Sequence, residues 1–204
     1  MQNRKTQKER REEMRAKLMK ATMHCLHQYG YHGASLPRIL EEAGVSRGAW
    51  SHHFKTKKEL IAEAARESLF RSSVQQAIEN SPEFMSKEQL PELFDYIWKN
   101  FYQGKVRDVW VELTVACRTD AELRELLVPV FDEFVESLDT LWRKYFQSSD
   151  HHDTPVEKIL NLTLYVIGGM GLQSILHDNP DYYQSLRGLW TKMILPMLEI
   201  KAET

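Results

Sequence analysis

The strongest constraint on this chain lies in nineteen residues near its N-terminus, Ser35 to His53, which read S-L-P-R-I-L-E-E-A-G-V-S-R-G-A-W-S-H-H. Leu36, Ile39, Leu40 and Ala43 recur at helical spacing, which gives one short helix a single apolar face. Gly44 can take the left-handed conformation that ends a helix, at little steric cost. Val45 plugs the turn, and Ser46 offers an N-cap oxygen to a second helix of about seven residues. On that second helix Trp50 and Phe54 stand one turn apart and face inward. Its other side carries Arg47, Gly48, Ala49, Ser51, His52 and His53. Two short helices joined by a three-residue turn with glycine form a helix-turn-helix unit, whose second helix enters the major groove of DNA. The small residues Gly48, Ala49 and Ser51 would let its backbone come close to base edges.

Charge supports a nucleic-acid partner. Residues 1–60 hold 13 Lys/Arg against 6 Asp/Glu, whereas residues 61–204 hold 14 against 23. The overall net charge of −2 therefore hides a basic first third on an acidic remainder. No run of eighteen apolar residues offers a transmembrane helix, and the charged, polar N-terminus gives no expectation of secretion. Cys25 and Cys117 lie far apart on apolar helical stretches, without CxxC or metal spacing. They read as packed, reduced thiols, and a cytoplasmic location is expected.

Taken in order, residues 1–9 lack apolar periodicity and read as an arm whose Arg4, Lys5 and Lys8 are available to phosphates. Met14, Leu18, Ala21, Cys25 and Tyr29 stripe a helix from Arg10 to about Tyr29, stopped by Gly30. Thr56 and Glu59 form a capping box for a helix from Lys57 to about Ser81-Pro82. Its first amides, with Lys57, lie where a phosphate would be met. Ser86 with Gln89 opens a helix to about Gly104, and a shorter one follows to Arg118. Thr119 with Glu122 opens the next, which Pro129 is expected to kink. Thr154-Pro155 starts a helix ending near His177, and Asn179-Pro180 starts the last, bent by Pro196. No segment alternates long enough for a strand. The expected fold is all-α, with about nine helices. Residues 1–56 would form a three-helix DNA-binding domain, and 57–204 a larger helical bundle for effector binding and dimerisation.

The run G-V-S-R-G-A-x-x-H-H-F-x-T-K from Gly44 to Lys57, with Y-G-Y-H-G-A-S before it, resembles the head of the TetR/AcrR family of bacterial transcriptional regulators. The R-T-D-A-E-L-R stretch from Arg118 is similar to one that many members carry. The resemblance implies a homodimeric, ligand-responsive repressor on a near-palindromic operator, its two reading helices roughly 34–36 Å apart. By position, Arg47, Gly48, Ala49, Ser51 and His52 would face base edges or phosphates, while Ser35, His53 and Lys57 would hold the backbone. Arginine can bond guanine at two points, which makes Arg47 the candidate for base readout. Two positions depart from the family: Ser51 replaces a bulky, often tyrosine, residue, and Trp50 a small or aliphatic one. Trp50 must either fill extra core space or push its ring toward the groove.

In the remainder, Phe94, Trp98, Phe101 and Tyr102 share one helix, Trp110 and Leu113 another, and Phe134, Leu138 and Trp142 a third. The family places its effector pocket among such helices. Together with Thr114, Asn161 and Tyr165, these residues suggest a mostly apolar cavity for a hydrophobic or aromatic molecule, though the same stripes also suit a plain core. Gly168, Gly169 and Gly171 inside a helical segment each cost about 1 kcal/mol relative to alanine. Close approach of another helix would compensate, and the family pairs its last two helices across a two-fold axis, here about 156–177 and 182–200. His24 with His27, and His151, His152 and Asp153, are weak metal candidates without a complete ligand set, so no metal or cofactor is expected. There is no nucleophile elbow, H-E-x-x-H or phosphate loop to suggest an enzyme. The alternative to an effector-responsive repressor is a DNA-addressed interaction or nucleoid-associated protein with no small ligand.

Overall fold

A computed structural model describes residues 6–71, 87–149 and 153–201. Among them are nine α-helices: α1 (Gln7–Gly33), α2 (Leu36–Ala43), α3 (Arg47–Trp50), α4 (Lys57–Arg71), α5 (Leu90–Phe101), α6 (Gly104–Cys117), α7 (Ala121–Tyr145), α8 (Val156–Gln173) and α9 (Pro180–Ile194). The expectations for Arg4, Lys5, Ser81-Pro82, Ser86, His151 and His152 fall outside the described residues. No described helix is long and apolar enough to cross a membrane.

Several boundaries differ from the sequence reading, each for a local reason. Gly30 kinks α1 instead of ending it: at φ 66° it breaks the ladder, and the helix resumes to Gly33. The Tyr31 amide released there donates to Glu112 Oε2 at 2.9 Å. α7 is capped by Asp120, not Thr119, because Asp120 Oδ1 accepts from the Leu123 amide at 3.0 Å. Pro129 lies within α7 without dividing it. Pro155 itself occupies the N-cap of α8 with no side-chain cap, while the Thr154 carbonyl is taken by the Ser148 hydroxyl at 2.5 Å. Asn179 caps α9 as read, accepting from the Tyr182 amide at 3.1 Å.

The last helix stops at Ile194, and a 3-10 turn over Leu195–Met197 leads into a strand. Strands β1 (Phe146–Ser148) and β2 (Leu198–Ile200) pair antiparallel, with Phe146 opposite Ile200 and Ser148 opposite Leu198. They correct the strand-free expectation. Three residues are too few for alternation to register in sequence.

The chain divides into two compact units that do not follow a single cut after residue 56. The first comprises Met1–Phe70 and Asp108–Phe131. Its core gathers Leu18, Cys25 and Leu26 of α1, Ile39 and Leu40 of α2, Trp50 and Phe54, and Leu60 and Ile61 of α4. Val109, Leu113, Leu123 and Leu127 complete it, so parts of α6 and α7 belong to the same core as the helix-turn-helix.

The second unit comprises Arg71–Arg107 and Asp132–Thr204. Leu93, Phe94, Ile97 and Trp98 of α5 pack with Leu138 and Trp142 of α7, Ile159, Leu160 and Ile167 of α8, and Tyr183 and Ile194 of α9. Phe146 and Leu198 from the strand pair are fully enclosed in that core. Two of the three α8 glycines have a partner inside this unit. A Cβ on Gly168 would lie 2.9 Å from Tyr102 Cε1, and one on Gly171 would lie 2.9 Å from both Tyr102 Cβ and its carbonyl oxygen. Tyr102 of the same chain therefore accounts for Gly168 and Gly171, whereas Gly169 meets nothing within 4 Å.

Candidate nucleic-acid interface

The turn between α2 and α3 closes as its residues predict. Gly44 sits at φ 63°, ψ 38°, and its amide and that of Val45 return to Glu41 and Leu40 carbonyls at 3.1 and 3.0 Å. Val45 is buried beneath it. Ser46 caps α3, its hydroxyl accepting from the Ala49 amide at 3.2 Å. Ser35 stands at the N-cap of α2 in extended conformation without a side-chain cap bond, so its half-buried hydroxyl is not spent on the helix.

α3 is shorter than the seven residues expected, running only from Arg47 to Trp50. Beyond Trp50 the backbone tightens into a turn, with the His53 and Phe54 amides both reaching the Trp50 carbonyl, at 2.8 and 3.3 Å. Trp50 is 8 % exposed and Phe54 2 %. Trp50 is thus a core residue, its indole N–H enclosed without a partner among the described residues. Between these anchors Arg47, Gly48, Ser51 and His52 are exposed, and Ala49 and His53 half-buried. A Cβ on Gly48 would touch nothing within 4 Å, so the space beyond it is open. Ser51 turns its hydroxyl onto the Gly48 carbonyl at 2.9 Å, which leaves a smooth outer surface.

Lys57 behaves differently from a free phosphate clamp. Its ammonium donates to the Ala34 and Tyr31 carbonyls at 3.2 and 3.5 Å and lies 4.9 Å from the centre of the Tyr31 ring. Burial, and then Lys58, push its pKa down. It ties the start of α4 to the end of α1. Thr56 does cap α4, accepting from the Glu59 amide at 3.0 Å, but Glu59 reaches back to the Lys55 amide at 2.8 Å instead of to Thr56.

Next to this strut, Asp120 gathers three donors that sequence reading missed. Lys58 Nζ lies 2.8 Å from Oδ1, the Tyr31 hydroxyl donates to Oδ2 at 2.7 Å, and the Leu123 amide is the third. The Lys58 bond above all holds the Asp120 carboxyl well below the usual carboxylate range. Burial, and then Asp120, push the Tyr31 phenol up. The only sequence signal was that Asp120 shares the R-T-D stretch with Thr119; the convergence on it joins residues about ninety positions apart.

His53 is pressed from several sides. Burial first, and then Arg11, Arg15 and His52, push its imidazole below the ordinary value. Its Nδ1 is enclosed without a partner among the described residues. Of the histidines weighed for metal, His24 faces Glu42 at 3.9 Å and His27 faces Asp108 at 3.4 Å. Burial raises the pKa of both Cys25 and Cys117, which keeps the thiols protonated.

The residues expected to line an effector cavity are split between the two units. Phe94, Trp98, Phe101 and Leu138 share the second core, with Phe134 and Tyr102 packed against it. Burial pushes the Tyr102 phenol up to about 12. Asn161 is engaged there, accepting from Trp142 Nε1 at 3.1 Å and donating to Asp139 Oδ1 at 2.6 Å. Tyr165 is exposed. Trp110 and Leu113 instead belong to the first core, and Thr114 is exposed in that unit. Sequence reading missed Arg187, buried on α9 with its guanidinium 4.5 Å from the Trp98 ring centre and two nitrogens on Asp95 Oδ1 at 3.0 and 2.8 Å. Its place one turn from Tyr183 and from Thr191, both buried, was the available clue.

Comparison with known proteins agrees with this geometry. Residues 18–64 match the family described as bacterial regulatory proteins, tetR family. The chain is 27 % identical over 189 residues to the HTH-type transcriptional regulator CymR of Pseudomonas putida, covering 90 % of each protein. It is 28 % identical over 160 residues to the HTH-type transcriptional repressor AcnR of Corynebacterium diphtheriae, covering 76 % of this chain and 77 % of that one. Among solved structures, the transcriptional regulator FadR of Bacillus subtilis in complex with stearoyl-CoA superposes with a TM-score of 0.63 at 17 % identity. That superposition covers 88 % of this chain and 96 % of the other.

Proposed function

The chain belongs to the TetR family of bacterial transcriptional regulators, and we propose that it is a cytoplasmic, ligand-responsive repressor that binds a near-palindromic operator as a homodimer. The observation that carries the DNA reading is the two-sidedness of the segment after Val45. Trp50 and Phe54 are locked in the core, while Arg47, Gly48, Ser51 and His52 face outward on a small, polar, open surface. Arg47 reads a base, Gly48, Ala49 and Ser51 allow the approach, and Ser35, His52 and His53 contact the backbone beside it. Lys57 serves from behind, by fixing the α1–α4 junction.

Dimerisation is supported by the outward faces of α8 and α9. Leu162, Tyr165 and Leu172 recur at helical spacing on one, with Leu176 in the turn just beyond it, and Tyr182, Leu189 and Met193 on the other, all exposed. Gly169 and Gly188 leave open space among them. A surface this apolar on a monomer marks an association face. For the effector, the aromatic lining of the second core favours a hydrophobic or aromatic compound, and a regulator of the same fold holds stearoyl-CoA. Such a ligand releases DNA only by binding more tightly to the arrangement that does not fit the operator.

The test is selection of duplexes by the full-length protein from a random library, followed by footprinting of the winner. The expected footprint covers two inverted half-sites about one helical turn apart. No enriched sequence would overturn the DNA reading. An enriched site that no hydrophobic compound releases would favour the effector-free alternative.

A further inference from the structure

A helix of four residues cannot hold its own pose, because one turn does not repay the cost of nucleation. Trp50 and Phe54 pin the inner side of the reading segment, but the turn after it, Ser51 to His53, exposes Ser51 and His52 and needs an external brace. We infer that Arg15, on α1 and outside the matched family region, is that brace: a positioning residue for operator recognition that does its work without touching DNA. This rests on the DNA-binding reading above.

Three contacts converge on its guanidinium. Its Cζ lies over the Phe54 ring, 4.5 Å from the centre. Nη1 donates to the His53 carbonyl at 3.2 Å, a group left free at the end of the tightened turn. Nη2 donates to Glu63 Oε2 on α4 at 3.0 Å. One side chain on α1 thereby joins the reading turn to α4, over sequence separations of 38 and 48 residues. The planar fork is what makes this possible: it can stack on a ring by its face while donating at its edge in two directions. A lysine offers a point charge and cannot do both. The side chain is 29 % exposed, and its edge is already committed to His53 and Glu63.

The experiment compares wild type, Arg15→Lys and Glu63→Gln on a duplex enriched by the full-length wild-type protein, and on a scrambled duplex, across a salt series. Arg15→Lys is expected to weaken the enriched duplex by about tenfold, with scrambled-duplex affinity and salt slope unchanged. Glu63→Gln keeps Arg15 on the turn but loosens its anchor, and is expected to lose a smaller factor on the enriched duplex alone. If the salt slope of Arg15→Lys drops by about one, Arg15 contacts a phosphate and the inference fails. It fails equally if enriched and scrambled duplexes weaken together with a lowered Tm, or if neither variant changes discrimination. Where Arg15→Lys does not fold, Glu63→Gln decides by the same discrimination. Failure of the wild type to enrich any duplex would instead bring down the DNA reading itself, and this inference with it.

Discussion

The outer face of the reading segment and the outer faces of α8 and α9 are finished in opposite ways. The first presents Gly48, Ser51 and His52 around Arg47, small and polar, with Ser51 folding its own hydroxyl back onto the Gly48 carbonyl. The second presents Leu162, Tyr165, Leu189 and Met193, large and apolar. A groove of base edges and phosphates, as proposed for the first, would demand close approach and polar contact, which small residues permit. A second copy of the same surface, as proposed for the second, would demand area to withdraw from water, which bulky residues supply. The two faces also differ in what stands behind them. The reading segment is braced by polar links over long sequence distances, such as Arg15 to the His53 carbonyl. Behind the α8 and α9 faces lies aromatic packing around the buried Arg187, which pairs with the partly exposed Asp95.

The contrast is easiest to break on the apolar side. Leu189→Glu places a charge where the partner's apolar face would cover it, and should cost dimerisation about 3 kcal/mol or more, read by sedimentation at micromolar concentration. An unchanged dimer would mean that this face is not the seam. Gly171→Ala tests the inside of the same helix: its Cβ would meet the Tyr102 backbone oxygen at 2.9 Å, which cannot swing away. Chemical denaturation should show a loss of about 1–3 kcal/mol. On the polar side, Arg47→Ala should weaken an enriched duplex by about 1–3 kcal/mol and a scrambled one far less. Equal losses on both would remove Arg47 from base readout.

Gly48→Ala separates surface from fold. The new methyl has open space, so unfolding free energy should stay level or rise slightly, by at most about 1 kcal/mol of helix propensity. Operator affinity should nonetheless fall, because the methyl enters the space the groove would fill. The smallest effect is on pH. His53 has a folded pKa pushed below its ordinary value of about 6.5, so the unfolded chain takes up its proton first as pH falls. Its contribution to stability is therefore present above that value and lost on acidification, down to the folded pKa. His53→Gln should flatten this part of the stability profile between pH 7 and 5, measured by denaturant titration. An unaltered slope would show that the imidazole titrates alike in both states.

Local chemistry was legible wherever one residue type decides a conformation. Gly44 closing its turn, Ser46 capping α3 and Asn179 capping α9 need nothing beyond neighbours a few positions away. The choice between Thr119 and Asp120 was not legible: either can cap a helix, and it is Lys58 and Tyr31, distant in sequence, that hold Asp120. Gly168 and Gly171 on α8 were recognisable as a close-packing site. Their tenant was not, because Tyr102 arrives from the end of α5. Lys57 had the right charge for a phosphate, but carbonyls of Tyr31 and Ala34 reach its ammonium in the fold. Likewise Trp110 and Leu113 read as equals of Phe94 and Trp98, since an apolar stripe does not say which core it will enter.

The sequence by itself determined the helical class, the glycine-closed turn and an inner and outer side for the reading segment. Each follows from spacing and conformational preference within a few residues. Only the tertiary structure decided how short α3 is, which core each aromatic joins, and that Arg15, Glu63 and the His53 carbonyl meet. Those outcomes depend on side chains brought together from dozens of residues apart, and no local preference of the chain encodes such a meeting.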